Sequence, residues 1–504
     1  MLSAPRTPKV TTGQLLGVCL LLVLCAFTRL HNLRALPLFV DEGFHIEAAG
    51  RVLDGDTIGP GMAYLLHTWY NAYLGPEPPV ADWTARAGHV LIGLLGVAAL
   101  YRLGRSFVSH RAGLIAAALW ISSPYLAFFD RMALADPLLS PLSVVAVWAA
   151  WRVMRSGAWR WGIVLAGVIA LAILAKASGI VWLALPLVAV ILAPGLVRQA
   201  RLRLGAIVYG VLLGGFFVPF ILFLRMRGFN YRLYLGESPS HVGGLDANLF
   251  ERVPRNLADA WSIDVGYLGL PIVLLAIAGG LFWLWRRPRP ALLTLLALGI
   301  AASGPIVFGI HLNSRYLLSH VPYVLLALAC GAGLLIERRA WAGWPVAVAL
   351  ALWALVFYLP FQRDLWTDPA DLPLNDDDRI AYLTSESSGY GVRAIGRMLS
   401  ADAASLPVIG LVANCQPLRI AAYPLDVLCP QIRWDGTSQQ ESMLLAQQWA
   451  AEGPVYVVGE NLPYIDLAGL PQPHTLITTV ERPGGASRVY LYRIEQGAAV
   501  AAGP

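Results

Sequence analysis

Charge is what this chain has least of. Asp, Glu, Lys and Arg make up 13% of its 504 residues, about half the roughly 25% usual in soluble domains. Lysine is nearly missing: Lys9 and Lys176 are the only two, and arginine carries every other positive charge. With 57% apolar residues and a mean hydropathy of +0.61, these shortages exclude disorder, coiled coil, collagen and a string of soluble domains. Cysteine is scarce as well. Five residues with no CxxC and no Cys/His cluster exclude a secreted disulfide scaffold and offer no zinc pattern. A polytopic membrane protein remains.

The charges that are present divide unevenly. Residues 1–360 hold 28 Lys/Arg against 15 Asp/Glu, and residues 361–504 hold 9 against 16. A basic membrane part and an acidic outer part share one chain. The net +6 gives no ground for nucleic acid, because the basic residues sit in short loops between apolar runs.

A span of roughly 30 Å of hydrocarbon needs about 17–25 apolar residues. Eleven runs qualify: about 13–30, 88–107, 112–129, 133–151, 159–175, 178–194, 204–224, 266–285, 290–310, 316–336 and 343–360. With the N-terminus inside, the loops on that side carry 16 basic residues and one acid, Glu337. That asymmetry sets the orientation. The N-terminus is then cytoplasmic, the first run is a retained span, and residues 361–504 lie outside. The expected fold is an all-α polytopic membrane domain of about 11 helices over 1–360. A linker at 361–378 follows, and then a small extracytoplasmic α/β domain over 379–504. Its expected strands are Val408–Val412, Val455–Val458, Thr475–Val480 and Val489–Ile494, and its helices Gly391–Leu399 and Glu441–Ala451. Arg-over-Lys usage fits a bacterial plasma membrane. Cys415 and Cys429 fall in this oxidising compartment, where a disulfide is open to them.

Three outer loops, 31–87, 129–136 and 225–265, hold the residues suited to chemistry. The first includes an amphipathic stretch, Met62–Leu74, read as an interfacial helix, and the third is rich in Arg and Tyr. Asp41 and Glu42 follow the first span, with His45 and Glu47 within two helical turns. An acid there serves either as a helix cap or as a general base. Asp130-Arg131 and Asp136 crowd three charges into a short turn, as loop anchors or as a functional group at membrane depth. Lys176 is a lone ammonium between two spans, suited to snorkelling or to a phosphate oxygen. Arg315-Tyr316 offers either an interfacial anchor or a two-bond phosphate clamp. All four groups fall on one side of the membrane, so acids and phosphate-binding cations gather at one face.

At these residues the chain resembles the glycosyltransferase-C superfamily, nearest to the protein O-mannosyltransferases and the aminoarabinose transferases that modify lipid A. Asp41-Glu42 resembles its Asp-Glu pair after the first span. Arg131-Met132-Ala133-Leu134-Ala135-Asp136 is similar to its Arg-x-x-x-x-Asp pattern. Ala175-Lys176-Ala177-Ser178-Gly179 resembles its Thr-Lys-Gly turn with Ala in place of Thr. Asn313-Ser314-Arg315-Tyr316 before Pro322 resembles its late Arg-Tyr segment. The resemblance covers about residues 13–340 and leaves the tail unmatched.

The resemblance implies inverting transfer of a sugar from a polyprenyl phosphate to an acceptor hydroxyl outside the membrane. Asp41 would be the base. Arg131, Lys176 and Arg315 would hold the leaving phosphate, with His45 and Tyr316 lining the substrate. Glu42 and Asp136 would orient the site or hold a divalent cation, so metal use is left open. The sugar is undefined, and the acceptor is a glycan, lipid or protein. A transporter or lipid flippase is the alternative. It would place charges near the bilayer midplane on repeated, broken helices, whereas here the acids fall in outer loops.

Overall fold

The computed structural model describes residues 11–55, 65–74, 79–193, 198–226, 249–402, 406–429, 437–460, 473–485 and 487–496. The chain forms two compact units. One comprises Met1–Leu33, Gly55–Tyr70 and Arg86–Thr367; the other comprises Arg34–Asp54, Asn71–Ala85 and Asp368–Pro504.

The first unit is helical. Each of the eleven apolar runs is largely helical among the described residues. Seven helices among the described residues are long and apolar enough to cross a membrane: Thr12–Leu30, Ala81–Phe107, Asp136–Ser156, Gln199–Leu222, Pro288–Phe308, Val321–Arg338 and Ala340–Thr367. An eighth is a pair, Leu249–Leu268 and Leu270–Arg286, bent by 109°. Three runs give shorter apolar helices, His110–Ile121, Trp159–Ala175 and Ala177–Leu192. The Ala177–Leu192 stretch starts as a 3-10 turn, Ala177–Ala184. Thr12–Leu30 begins with a reciprocal cap between Thr11 and Gln14. Its Leu16 and Leu20 are 69% and 67% exposed, as a lipid-facing surface requires.

Two spans approach unusually closely. A Cβ on Gly331, in the Val321–Arg338 helix, would lie 2.4 Å from the Gly279 Cα of the Leu270–Arg286 helix. Gly331 has no room for a Cβ there, and small residues at such a crossing are a membrane packing device.

One loop differs from its expectation. The outer loop expected over 225–265 is helical from Leu249 to Leu268. This helix binds the end of the Pro288–Phe308 span: Arg252 Nε donates to the Val307 carbonyl, and Asn256 Nδ2 donates to those of Ile306 and Gly309. Polar residues that read as loop are the ones that cap exposed carbonyls. Arg227, Tyr231, Arg232 and Tyr234 lie outside the described residues. The stretch expected as an interfacial helix, Met62–Leu74, is helical from Leu65 to Leu74, and residues 62–64 lie outside the described residues.

The second unit holds a five-stranded sheet in the order β2-β1-β3-β5-β4. The strands are β1 Val408–Leu411, β2 Val427–Leu428, β3 Val455–Glu460, β4 His474–Glu481 and β5 Arg488–Ile494. β1 pairs in parallel with β2 and β3; β5 pairs antiparallel with β3 and β4. β1 and β3 are buried throughout, as strands covered on both faces are. The four expected strands and two expected helices are present. β2 and the Gln416–Ala422 helix are additional; both are too short for a periodic signal. Leu359–Thr367 is helix, so the start of the expected linker, 361–367, is ordered chain. Cys415 and Cys429 form a disulfide with Cα atoms 6.0 Å apart.

Candidate functional site

Asp41 and Glu42 sit in the second unit, in the first turn of the Val40–Leu53 helix. The helix is capped by Phe39, not by Asp41. Glu42 Oε2 accepts the Phe39 backbone N–H at 3.0 Å, so capping is the work of the second acid. Glu42 is fully buried, His45 is 5% exposed, and Asp41 is half-buried.

The acidic helix is built into the tail. Val40 N–H donates to the Ser387 carbonyl at 2.8 Å, and Asn414 Nδ2 donates to the Leu38 carbonyl at 2.8 Å. The Phe39 and Tyr382 rings lie 4.6 Å apart. Gly43 faces Asn414 and Gln416 so closely that an added Cβ would lie 2.9 Å from Asn414 Oδ1. Gln416 opens the Gln416–Ala422 helix, and Cys415 before it is tied to Cys429 just after β2.

The cations fall into two groups in the first unit. Lys176 ends the Trp159–Ala175 helix in an extended conformation, and the Gly179 N–H closes the next turn onto its carbonyl at 2.8 Å. This break turns the side chain toward Asp136, the first residue of the Asp136–Ser156 helix. Lys176 Nζ donates to Asp136 Oδ1 at 2.5 Å, and both side chains are more than nine-tenths buried. The same ammonium lies 4.5 Å from the centre of the Tyr316 ring, in cation–π range. The Arg315 guanidinium stands 5.1 Å from that ring and donates to the Tyr316 hydroxyl at 3.3 Å. Asp136, Lys176, Arg315 and Tyr316 are therefore brought together, from three parts of the chain.

Arg131 does not join them. Its Nη2 donates to the Asn32 carbonyl at 2.7 Å and its Nη1 to the Thr28 carbonyl at 3.4 Å. It is 4% exposed and pins the end of the first helix. Asp130 is equally internal, accepting Trp120 Nε1–H at 3.0 Å with Arg29 Nε 3.6 Å away.

Sequence reasoning missed the parts that hold the Arg315 turn. Tyr125 donates its hydroxyl to the Ser314 carbonyl at 2.6 Å and stacks on Tyr267 at 4.5 Å. His320 Nε2 meets Asp264 at 2.8 Å, and its Nδ1 faces the Leu317 carbonyl. Both ring nitrogens of His320 therefore face oxygen atoms. Nothing in spacing signals these contacts, because Asp264 and Tyr267 reach the turn only through the Leu249–Leu268 helix.

Glu42 and Asp136, the candidate metal ligands, are engaged by a backbone N–H and by Lys176. No three metal-ligating side chains gather among the described residues.

Residues 79–223 match the family described as dolichyl-phosphate-mannose-protein mannosyltransferase. The fold is similar to that of ArnT from Cupriavidus metallidurans bound to undecaprenyl phosphate, with TM-score 0.59 and 18% identity over 98% of this chain and 100% of that one. It is also similar to the Archaeoglobus fulgidus oligosaccharyltransferase solved with Zn and sulfate, with TM-score 0.52 and 12% identity over 88% of this chain and 67% of that one. No curated protein matches the chain in sequence. The fold is thus similar to the folds of these two proteins, and the family match lies within residues 79–223. Two of the four motifs read from the sequence, Arg131–Asp136 and Ala175–Gly179, lie within the matched residues, and the apolar helices support a multi-pass membrane protein.

Proposed function

We propose that this protein transfers a sugar from a polyprenyl phosphate to an acceptor hydroxyl on the extracytoplasmic face of the membrane, with inversion at the anomeric carbon. The observation that carries the reading is the grouping of buried Lys176 and Asp136 with half-buried Arg315 and Tyr316. Two cations beside one aromatic ring suit a phosphate attached to a sugar. The family match over 79–223, which contains Asp136 and Lys176, supports the same assignment.

In the proposed reaction an acceptor oxygen attacks the anomeric carbon as the bond from that carbon to the phosphate oxygen breaks. The acceptor proton passes to a carboxylate, the role that the Asp-Glu resemblance gives Asp41, and the electron pair of the broken bond leaves on the polyprenyl phosphate. Negative charge grows on the leaving oxygen, so Lys176 and Arg315 stabilise the transition state more than the ground state. Asp136 holds the Lys176 ammonium in place. Glu42, by capping its helix, fixes Asp41 in the first turn. Arg131, held by two backbone carbonyls, anchors the first helix. Donor lipid, acceptor and surrounding membrane lipids are the partners this reading implies.

Purified protein incubated with radiolabelled polyprenyl-phosphate sugars should release polyprenyl phosphate in step with labelled acceptor. Absence of turnover with every sugar, together with ligand transport in liposomes, would overturn the reading in favour of a transporter.

A further inference from the structure

The second unit is strongly acidic: its three segments hold 10 arginines against 21 Asp and Glu, a net charge of −11. Three of those ten arginines line one cavity. It has a volume of about 210 Å³ and is bordered by Arg34, Arg393, Arg397 and Asp82, with Leu38 and Ile420 among its apolar walls. With 10 arginines against 21 acids in this unit, acids should outnumber arginines about two to one around a cavity, so three arginines to one acid are a local excess of positive charge.

Two of the arginines are fixed. Arg393 Nη2 donates to the Ala35 carbonyl at 2.9 Å, and its Nη1 donates to that of Arg34. Arg34 Nη2 pairs with Asp82 at 2.7 Å and donates to the Pro79 carbonyl at 2.6 Å. These bonds hold both side chains at the cavity wall. Arg34 Nε is buried with no partner among the described residues, which is costly unless a ligand accepts from it. Arg397 is exposed at the rim.

We propose that this cavity binds an anionic monosaccharide unit, a hexose carrying a carboxylate or a phosphate. Guanidinium groups favour both anions through two-bond geometry. The volume exceeds that of a bare anion and suits a sugar ring, whose carbon face packs against Leu38 and Ile420. Leu38 lies three residues before Asp41. Assigning the bound sugar to the acceptor rests on the proposed transfer reaction; the binding itself does not.

The test is calorimetric titration of the full-length protein in detergent, with no donor lipid present. Glucuronate and glucose 6-phosphate are the probes, with glucose and inorganic phosphate as comparisons, and the tighter of the two probes identifies the anion. At least one anionic sugar should bind, glucose should not, and Arg397→Gln should weaken binding at least tenfold. Arg34→Ala should do the same, with thermal melting confirming that each variant folds. The paired change Lys176→Met with Asp136→Leu, checked by thermal melting, should still bind the anionic sugar, which separates this cavity from the donor phosphate. Equal binding of glucose, or full binding in a folded Arg397→Gln protein, would overturn the site. Inorganic phosphate binding as tightly as glucose 6-phosphate would overturn the sugar assignment. Binding that persists without transfer activity would leave the cavity standing and refute only its link to the acceptor.

Discussion

Removing the Lys176 ammonium should have two separable consequences. The first is structural. Lys176→Ala leaves the Asp136 carboxylate buried without its cation, at side-chain exposures of 9% and 8%. Breaking one side of a buried pair costs about 3–5 kcal/mol of stability, whereas replacing both partners by apolar residues is often neutral. The pair Lys176→Met with Asp136→Leu should therefore melt within a few degrees of the parent protein, while each single change melts well below it. The second consequence is chemical. If the ammonium meets the leaving phosphate, its loss removes about 2–4 kcal/mol of transition-state stabilisation. That corresponds to about 30- to 900-fold in kcat/KM for the lipid donor, at 1.36 kcal/mol per tenfold. Lys176→Arg retains charge but forces a larger planar group into a buried position 4.5 Å from the Tyr316 ring, so it should raise KM for the donor. Initial rates of polyprenyl-phosphate release in detergent, at saturating acceptor, measure all of these. A stable double variant with parental kcat/KM would refute the reasoning: Lys176 would then be a structural partner of Asp136 and nothing more.

Asp41→Asn should abolish transfer with little change in melting temperature, because Phe39 and Glu42 form the helix start without Asp41; near-parental turnover would remove Asp41 from the chemistry. Gly331→Ala should lower thermal stability by several kcal/mol, since its Cβ meets the Gly279 backbone at 2.4 Å; an unchanged melt in detergent would contradict the close crossing of the two spans. Cys415→Ser with Cys429→Ser should destabilise the second unit by roughly 3 kcal/mol, given the 14-residue separation. The same change should reduce activity in proportion, as the bonded cysteine precedes the helix that faces Gly43; denaturant titration of both forms would show it.

The membrane part was legible because lipid imposes a long apolar run on every span, and those runs survive helix bends and 3-10 turns. The strands were legible from alternating and buried apolar stretches such as Val455–Val458. The Leu249–Leu268 helix was not, because its polar residues cap carbonyls at the end of a neighbouring span and mimic loop composition. The grouping of Lys176, Arg315 and Asp136 followed from sidedness alone, yet sidedness also suggested Arg131, which instead spends its donors on Asn32 and Thr28. The environment of Asp41 was hidden for a different reason. Its helix is held by Asn414, 376 residues beyond Leu38, and no local pattern encodes a contact at that range. The tail's lack of motif resemblance therefore understated its part in holding the acidic helix.

That the acidic helix is built into the tail bears on how the protein can be dissected. A truncation at Pro360, drawn where hydropathy changes, would strip Gly43 of Asn414 and Gln416 and leave Val40 without its Ser387 acceptor. The membrane part alone is thus no minimal enzyme under the proposed mechanism. Chimeras that exchange tails between related proteins would have to carry residues 34–54 with the donor tail, or else recreate the Gly43 contact. A larger residue at Gly43 would need a matching change at Asn414 or Gln416, so the two stretches work as one packed unit split across the chain.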